Sequence, residues 1–238
     1  MKFPYWNRTL GADHFYVSGD GLDFGSDRNL LELKKNSIQI SRFPAPGSKF
    51  VPHKDITLPP FAGAQAPHSP AATRTARYLG FVKHDAVQES TLVKDLGNGS
   101  DFIIESEPSD ERTFLNRLAS SEFCLFEYGA DMSGLGEALR FGCIPVLLTN
   151  RPILDLPLMD VLRWREIAIV VGSNGGAAKE LKSVLGKDGT RERKREFGVR
   201  ASQHFTWNQA PKPYDAFHMV MYQLWLRRHT IRYARMVA

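Results

Sequence analysis

Apolar and polar residues follow two alternating rhythms along the second half of the chain. Short apolar-rich runs, typical of buried strands, are separated by segments whose apolar positions recur at helical spacing. The predicted strands are RYLGFV (77–82), DFIIES (101–106), EFCLFEY (122–128), IPVLL (144–148) and EIAIVVG (166–172). The predicted helices are 85–97, 109–121, 133–142, 156–164 and 177–186. This alternation predicts an α/β fold, with a parallel sheet covered by helices on both faces.

The remaining segments have a different pattern. HFYVS (14–18) and SIQISRF (37–43) read as strands, the second half-buried because apolar and polar residues alternate, and RNLLELKKN (28–36) reads as a helix. Residues 44–74 are rich in Pro, Gly and Ala and predict a connector. We therefore expect two domains, 1–73 and 74–238, the second ending in helices over 190–205 and from 214 onward.

The segment GEALRFGCIPVLL (136–148) joins a predicted helix to a buried strand. Ser133 is a suitable N-cap for the helix, Gly142 can adopt the left-handed conformation that ends it, and Pro145 prevents its continuation. The loop before this helix follows the carboxyl end of a strand, where α/β sheets hold phosphates. Glycines there let backbone approach a ligand closely, and a carboxylate at Glu137 can bind a ribose diol. The alternative is that Glu137 only caps its helix and the glycines only shape the loop.

Charge, hydropathy and cysteine content limit the classes of partner and location that the chain can have. The 238 residues carry a net charge of +5, and Lys and Arg cluster in 191–200 and 224–235, which suits an anionic partner or solvated helix faces. No apolar run reaches the roughly 18 to 20 residues of a membrane span, and the N-terminus lacks the apolar core of a signal peptide. Cys124 and Cys143 lie in apolar runs, so we expect buried free thiols and no metal site.

Several motifs, in order, resemble the plant cell-wall branch of the exostosin family, glycosyltransferase family 47. They lie between residues 3 and 226: PYWNRTLGADHF, PHKDITLPP, SEFCLFEYG with EALRFGCIPVLL, LPLMDVLRW and YDAFHMVMYQLW. The resemblance implies a GT-B-like fold with one Rossmann-like donor domain and a partial N-terminal, acceptor-side lobe. It also implies inverting transfer of a sugar from a nucleotide sugar, usually UDP-linked, to a cell-wall polysaccharide or glycoprotein glycan in the Golgi lumen. The nucleotide sugar would be a substrate, and no cofactor or metal is implied.

The resemblance also implies roles for individual residues. Glu137 would bind the ribose, and the backbone at Ser133, Gly134 and Gly136 would face the diphosphate. Lys83 and Arg77 would supply positive charge for the phosphates. On the acceptor side, His14 and Asp13 are the candidates for the catalytic base, because either side chain can take a proton from a sugar hydroxyl.

The chain also departs from the family pattern. Its loop DMSGLGEA (131–138) lacks the Arg that relatives often carry there, and only Met1 and Lys2 precede FPYWNRT (3–9), where relatives have an anchor and much of the N-terminal lobe. We therefore expect a truncated member, with a catalytically inactive protein that keeps a nucleotide-binding or interaction role as the alternative. No nucleic-acid recognition module is visible, so we expect no nucleic-acid partner and no membrane span in this chain.

Overall fold

The structure is a computed structural model. It describes residues 4–19, 22, 28–45, 50–61, 76–83, 91–97, 99–105, 107, 109–129, 131–151, 155–172, 178–187 and 189–228. Its strands are β1 Phe15–Val17, β2 Ile38–Ser41, β3 Ile56–Thr57, β4 Tyr78–Lys83, β5 Phe102–Glu105, β6 Ser121–Glu127, β7 Ile144–Leu148 and β8 Ile169–Val171. Its α-helices are α1 Pro4–Thr9, α2 Arg28–Asn36, α3 Thr91–Gly97, α4 Glu111–Ser120, α5 Leu135–Arg140, α6 Ala178–Lys187, α7 Arg191–Ala201 and α8 Ala216–Arg227.

The chain divides into two compact units. The first comprises Met1–Pro60, Ile153–Leu162 and Asn208–Ala238, and the second comprises Phe61–Pro152 and Arg163–Trp207. The sequence-based division at residue 73 assigns residues 61–73 to the first domain, whereas they belong to the second unit. It also assigns the segments 153–162 and 208–238 to the second domain, whereas both belong to the first unit. Both segments are far in sequence from the N-terminal strands with which they pack.

The first unit contains a parallel sheet of order β1-β2-β3. The expectation that β2 is half-buried was wrong, because all four of its residues are buried. β2 is the central strand, and its polar side chains find partners inside the unit: Gln39 Oε1 accepts hydrogen bonds from the Tyr16 hydroxyl and the Leu22 amide, both at 3.0 Å. A buried polar side chain with such partners avoids most of the cost of its burial. β3 lies within the segment expected to be a connector.

The second unit contains a five-stranded parallel sheet of order β5-β4-β6-β7-β8. Buried residues such as Phe123, Leu125 and Val146 form its core with Leu181 and Leu185 of α6. From β4 the chain crosses to β5 on one side, and the next strand, β6, pairs with β4 on the other side. This reversal of strand order is a topological switch point, where sheets of this kind hold their ligands. The predicted α/β class with a Rossmann-like parallel sheet is confirmed.

Helix α5, which precedes β7, ends as predicted but does not begin as predicted. Gly142 has φ 68°, and the amides of Gly142 and Cys143 bond to the carbonyls of Leu139 at 3.1 Å and Ala138 at 2.9 Å. This is the Schellman pattern, which uses a left-handed residue to satisfy the last carbonyls of a helix. Ser133 is not the N-cap, because Gly134 holds that position without a side-chain cap. The Ser133 amide instead donates a hydrogen bond to Asp131 Oδ1 at 2.9 Å.

The expectation of free thiols was wrong, because Cys124 and Cys143 form a disulfide with Cα atoms 5.7 Å apart. Cys124 lies in β6 opposite Pro145 of β7, and Cys143 immediately precedes β7. The crossover through α5 returns the chain directly beside β6, which brings two residues separated by 19 positions into bonding distance. The bond is buried on both sides.

The helix predicted over 156–164 was also wrong. Residues 157–161 form consecutive turns, followed by a short 3-10 helix at Trp164–Glu166. Leu158 has φ 57°, which a right-handed helix cannot contain. Parts of two other predicted helices, 85–90 and 229–238, lie outside the described residues. None of the helices within the described ranges is long and apolar enough to cross a membrane.

Candidate functional site

Charged side chains meet at the switch point of the second unit's sheet. Lys83 is the last residue of β4, and Asp131 lies in the loop that follows β6. Lys83 Nζ lies 2.6 Å from Asp131 Oδ2 and 5.7 Å from the centroid of the Phe114 ring. Both charged side chains are partly exposed. The ion pair therefore lies at the carboxyl ends of β4 and β6, where sheets of this kind hold their ligands.

Asp131 orders this edge of the sheet. Burial alone would raise the pKa of its carboxyl group, but the hydrogen bonds from Lys83 and Ser133 outweigh burial, and the pKa is lowered. Asp131 is therefore ionised at neutral pH, where it holds both Lys83 and the turn before α5. A phosphate that enters the crevice would compete with Asp131 for the Lys83 ammonium group.

The predicted residues around α5 lie on the same edge, in different environments. Ser133 is exposed, Gly134 and Gly136 are buried, and Glu137 is half-buried with its Oε2 atom shielded from solvent. A Cβ atom on Gly134 would lie 2.6 Å from the Phe114 ring, so this glycine permits close packing of α5 against α4. Gly129 has a conformational role in the loop after β6, because its φ of 103° is one that residues with a side chain rarely adopt.

Arg77 is not brought together with the other predicted residues. It lies just before β4, six residues from Lys83 at the far end of the strand, which is about 20 Å at the rise of an extended chain. Its amide donates to the Ser120 carbonyl at 2.8 Å, and its guanidinium carbon lies 5.6 Å from the centroid of the Tyr78 ring. Arg77 thus belongs to the opposite edge of the sheet.

Sequence reasoning missed a second cation on the carboxyl edge. The guanidinium of Arg151 lies over the ring of Tyr128, 4.9 Å from its centroid. Tyr128 directly follows β6, and its amide bonds to the Leu148 carbonyl at 3.0 Å, while the Arg151 amide bonds to Thr149 Oγ1 at 3.1 Å. Asp131 was missed as well. The available signal was the position of Asp131 and Arg151, each three residues after a predicted strand, because the carboxyl ends of parallel strands share one edge of the sheet.

The first unit contains the predicted Asp13 and His14 as a hydrogen-bonded pair. His14 Nδ1 lies 2.8 Å from Asp13 Oδ1, and the Asp13 carboxylate also accepts hydrogen bonds from Thr9 and, at 2.7 Å, from Arg8. The bond from Thr9, together with those from Arg8 and His14, holds the pKa of Asp13 well below its usual range. An ionised Asp13 requires a hydrogen on His14 Nδ1, so in the neutral ring Nε2 is the proton acceptor.

The ring of His14 also lines a cavity of about 650 Å³ in the first unit, between α1 and α2. The ring of Trp6 packs edge-on against it, with centroids 5.4 Å apart. Within the ranges that the structure describes, no three His, Cys, Asp or Glu side chains cluster as a metal site would require. The chemistry available at His14 is therefore that of a proton acceptor oriented by a carboxylate.

The second unit is a Rossmann-like α/β unit with Lys83 at the switch point of its parallel sheet. Sheets of this class bind their ligands at that edge, and a cation there suits a ligand that carries phosphate. Residues 1–187 match the family model described as the Exostosin GT47 domain. The chain belongs to this family, and the resemblance inferred from its motifs is confirmed.

Three curated relatives of the chain are plant proteins. The chain is 27% identical to a probable glycosyltransferase of Arabidopsis thaliana over 97% of its own length and 46% of the relative's. It is 28% identical to a probable beta-1,4-xylosyltransferase of the same plant, over 92% of this chain and 59% of the relative. It is also 28% identical to a probable glucuronosyltransferase of Oryza sativa subsp. japonica, over 92% of this chain and 56% of the relative. The chain thus spans about half the length of the curated relatives it matches.

Solved structures give a weaker likeness. The pneumococcal O-GlcNAc transferase GtfA in complex with UDP and GlcNAc aligns with a TM-score of 0.45 and 9% identity, over 86% of this chain and 46% of that one. The calicheamicin glycosyltransferase CalG4 aligns with a TM-score of 0.39 and 11% identity, over 92% of this chain and 70% of that one. These scores are too low to support an argument about function.

Proposed function

We propose that this chain carries the donor-binding unit and part of the acceptor side of an inverting glycosyltransferase. The donor is a nucleotide sugar, with UDP as the nucleotide, and the acceptor is a hydroxyl group of a cell-wall polysaccharide or a glycoprotein glycan. Membership of the Exostosin GT47 domain family supports the reaction class. The observation that carries the proposal is the position of Lys83, a cation at the switch point of a Rossmann-like sheet.

On the donor side, Lys83 binds the diphosphate when a phosphate oxygen replaces Asp131 as its partner. Arg151, which also follows a strand of this sheet, supplies a second positive charge, and its planar guanidinium suits phosphate oxygens. Glu137 accepts hydrogen bonds from the ribose, and the backbone from Ser133 to Gly136 lies along the diphosphate. In this scheme the two cations offset part of the negative charge of the leaving nucleoside diphosphate.

On the acceptor side, His14 Nε2 takes the proton of the attacking hydroxyl. The acceptor oxygen forms a bond to the anomeric carbon while the bond from that carbon to the diphosphate oxygen breaks, and the nucleoside diphosphate leaves with the electron pair. The ionised carboxylate of Asp13 stabilises the imidazolium that results. Attack from the face opposite the leaving group inverts the anomeric carbon.

The proposed place of action is the Golgi lumen. The buried disulfide between Cys124 and Cys143 supports it, because such bonds persist in oxidising compartments of the secretory pathway. A redox-state measurement on protein extracted from plant Golgi membranes after thiol blocking should find both cysteines oxidised.

A UDP titration of the purified chain, followed by calorimetry, tests the donor side. We expect Lys83→Ala to weaken UDP binding by about tenfold or more, because a hydrogen bond to a charged phosphate is lost. Arg77→Ala is the matched control: it removes a cation from the opposite end of the same strand and should leave UDP binding unchanged. Absence of UDP binding by the folded chain, or equal losses in both variants, would contradict the donor proposal.

A further inference from the structure

The cavity between α1 and α2 has the dimensions of a ligand site. Its volume of about 650 Å³ lies within the range of small-molecule pockets, and α1 contributes Tyr5 and Trp6 while α2 contributes Asn29, Leu30 and Glu32. His14, the proposed base, lines the same cavity. The proposed function therefore assigns a role to His14 in this cavity, but it does not say which ligand the cavity binds.

Two aromatic rings contribute to the apolar part of the cavity, and the fold fixes one of them. Trp6 lies against Gly11, where a Cβ atom would come within 2.4 Å of the indole, and its edge meets the ring of His14. Gly11 has φ 90°, so both its conformation and its lack of a side chain serve this packing. Tyr5, by contrast, is 72% exposed. A held indole and an open phenol ring give apolar faces on which a flat ligand can stack.

Polar groups of α2 share the cavity with the rings. Asn29 and Glu32 are three positions apart, so they lie on one side of the helix. The amide of Asn29 has both donors and an acceptor, and the Glu32 carboxylate accepts hydrogen bonds. Glu32 is about half exposed, and its ion pair with Arg28 is long, at 3.8 Å. A ligand hydroxyl can therefore reach the carboxylate.

The charge of the described lining residues favours an uncharged ligand over a nucleotide. Among the described residues that line the cavity there is no Lys or Arg, and Glu32 is negative. A diphosphate would meet repulsion here, whereas an uncharged ligand with an apolar face and several hydroxyl groups matches both the rings and the polar groups. Pyranose rings have this combination, with C–H bonds on one face and hydroxyl groups around the rim.

We propose that the cavity formed by α1, α2 and His14 is a subsite for a pyranose of the acceptor glycan. Tyr5 and Trp6 stack on the sugar, Asn29 and Glu32 bind its hydroxyl groups, and the subsite presents the attacking hydroxyl to His14 Nε2. This inference rests on the proposed function, since it assigns the acceptor of that reaction to one place in the first unit.

Saturation-transfer NMR titrations with xylotetraose, cellotetraose and β-1,4-galactotetraose test the subsite on the intact chain. We expect at least one of these probes to bind, with Tyr5→Ala weakening it about two- to tenfold, as the loss of a ring stack does. Tyr5→Phe, which keeps the ring face, should retain most of the affinity. Phe61→Ala is the matched control, because Phe61 is equally exposed, at 71%, and does not line the cavity.

UDP titrations of the same samples separate this inference from the donor proposal. UDP binding together with no binding of any tetrasaccharide, or with binding that Tyr5→Ala and Phe61→Ala weaken equally, overturns the subsite and leaves the donor site standing. Tetrasaccharide binding that depends on Tyr5 but occurs without UDP binding supports the subsite and overturns the donor site. Binding of an apolar dye alone, which Tyr5→Ala abolishes, also overturns the assignment to a sugar.

Discussion

Asp155 is a carboxylate that the first unit shields from water. The residue is only 3% exposed, and its Oδ2 atom accepts a hydrogen bond from the Ala45 amide at 2.5 Å. Burial raises the pKa of the Asp155 carboxyl above its ordinary value of 3.8, and the bond from Ala45 only partly offsets this. Its backbone carbonyl also accepts a bond from the Thr57 hydroxyl at 2.6 Å. Asp155 thus joins the 153–162 segment to the N-terminal part of the unit, although burying its ionised carboxylate is unfavourable.

We expect Asp155→Asn to remove a pH dependence of stability. Because the folded-state pKa is raised, the folded chain holds the proton more tightly, and the free energy of unfolding of the parent falls as pH rises from about 4 through that pKa. Asn keeps an oxygen acceptor for Ala45 and carries no charge, so the variant should be the more stable protein at pH 7. Urea unfolding at pH 4, 5.5 and 7 measures this.

Asp110→Asn is the control for that series. Asp110 caps α4 with its side chain, and its pKa is lowered, chiefly by the hydrogen bond from the Thr113 side chain, so its contribution is lost on acidification instead. Stability curves of parent and Asp155→Asn that run parallel across this pH range would contradict the prediction.

At the scale of elements, the disulfide joins β6 to the start of β7, two neighbouring strands of the second sheet. We expect the double variant Cys124→Ala, Cys143→Ala to lose about 3 kcal/mol of unfolding free energy, because the unfolded chain regains the entropy of a loop closed over 19 positions. Denaturant unfolding of oxidised parent and variant measures the difference. A reducing agent should lower the midpoint of the parent alone, and equal shifts in both would contradict the assignment.

The pattern of apolar residues along the chain predicts some of the structural elements and fails to predict others. The strands of the second sheet were predictable, because each is a short apolar run between turn residues. The disulfide was not, because it depends on which strands become neighbours. The helix expected over 156–164 failed because Leu158 takes a left-handed conformation, a choice made by packing and not by apolar spacing.

The candidate site shows the same division. The positions of Lys83 and Glu137 on the carboxyl edge of the sheet were predictable from their places near strand and helix ends, and their binding roles stay predictions. The sequence alone could have separated Arg77 from Lys83, because Arg77 begins a predicted strand and Lys83 follows it, and the two ends of a strand lie on opposite edges of a parallel sheet. Arg151 could not be placed beside Tyr128, because that requires the strand order as well as the strands.

At the scale of the whole molecule, one buried side chain connects three distant segments of the first unit. Arg227 of α8 donates two hydrogen bonds to Asp160 Oδ2, at 2.6 and 2.8 Å, and another to the backbone carbonyl of Asp55. The basic C-terminal cluster was expected either to form solvated helix faces or to meet an anionic partner, yet Arg227 is only 6% exposed. The charge of Arg227 thus holds segments of the first unit together and does not face solvent.

Arg227→Ala should therefore destabilise the first unit selectively. It removes the guanidinium from Asp160, which remains partly exposed to solvent, and it takes a hydrogen bond from the Asp55 carbonyl, so it should cost about 1 to 3 kcal/mol. Hydrogen exchange measures this by unit: protection of the Gln39 and Leu58 amides, which are bonded within the first sheet region, should fall, while the Tyr128 amide in the second unit keeps its protection. Arg228→Ala, which changes the exposed neighbouring arginine, should alter stability by less than about 0.5 kcal/mol. Equal loss of protection in both variants, or loss that includes Tyr128, would show that Arg227 does not hold these segments together.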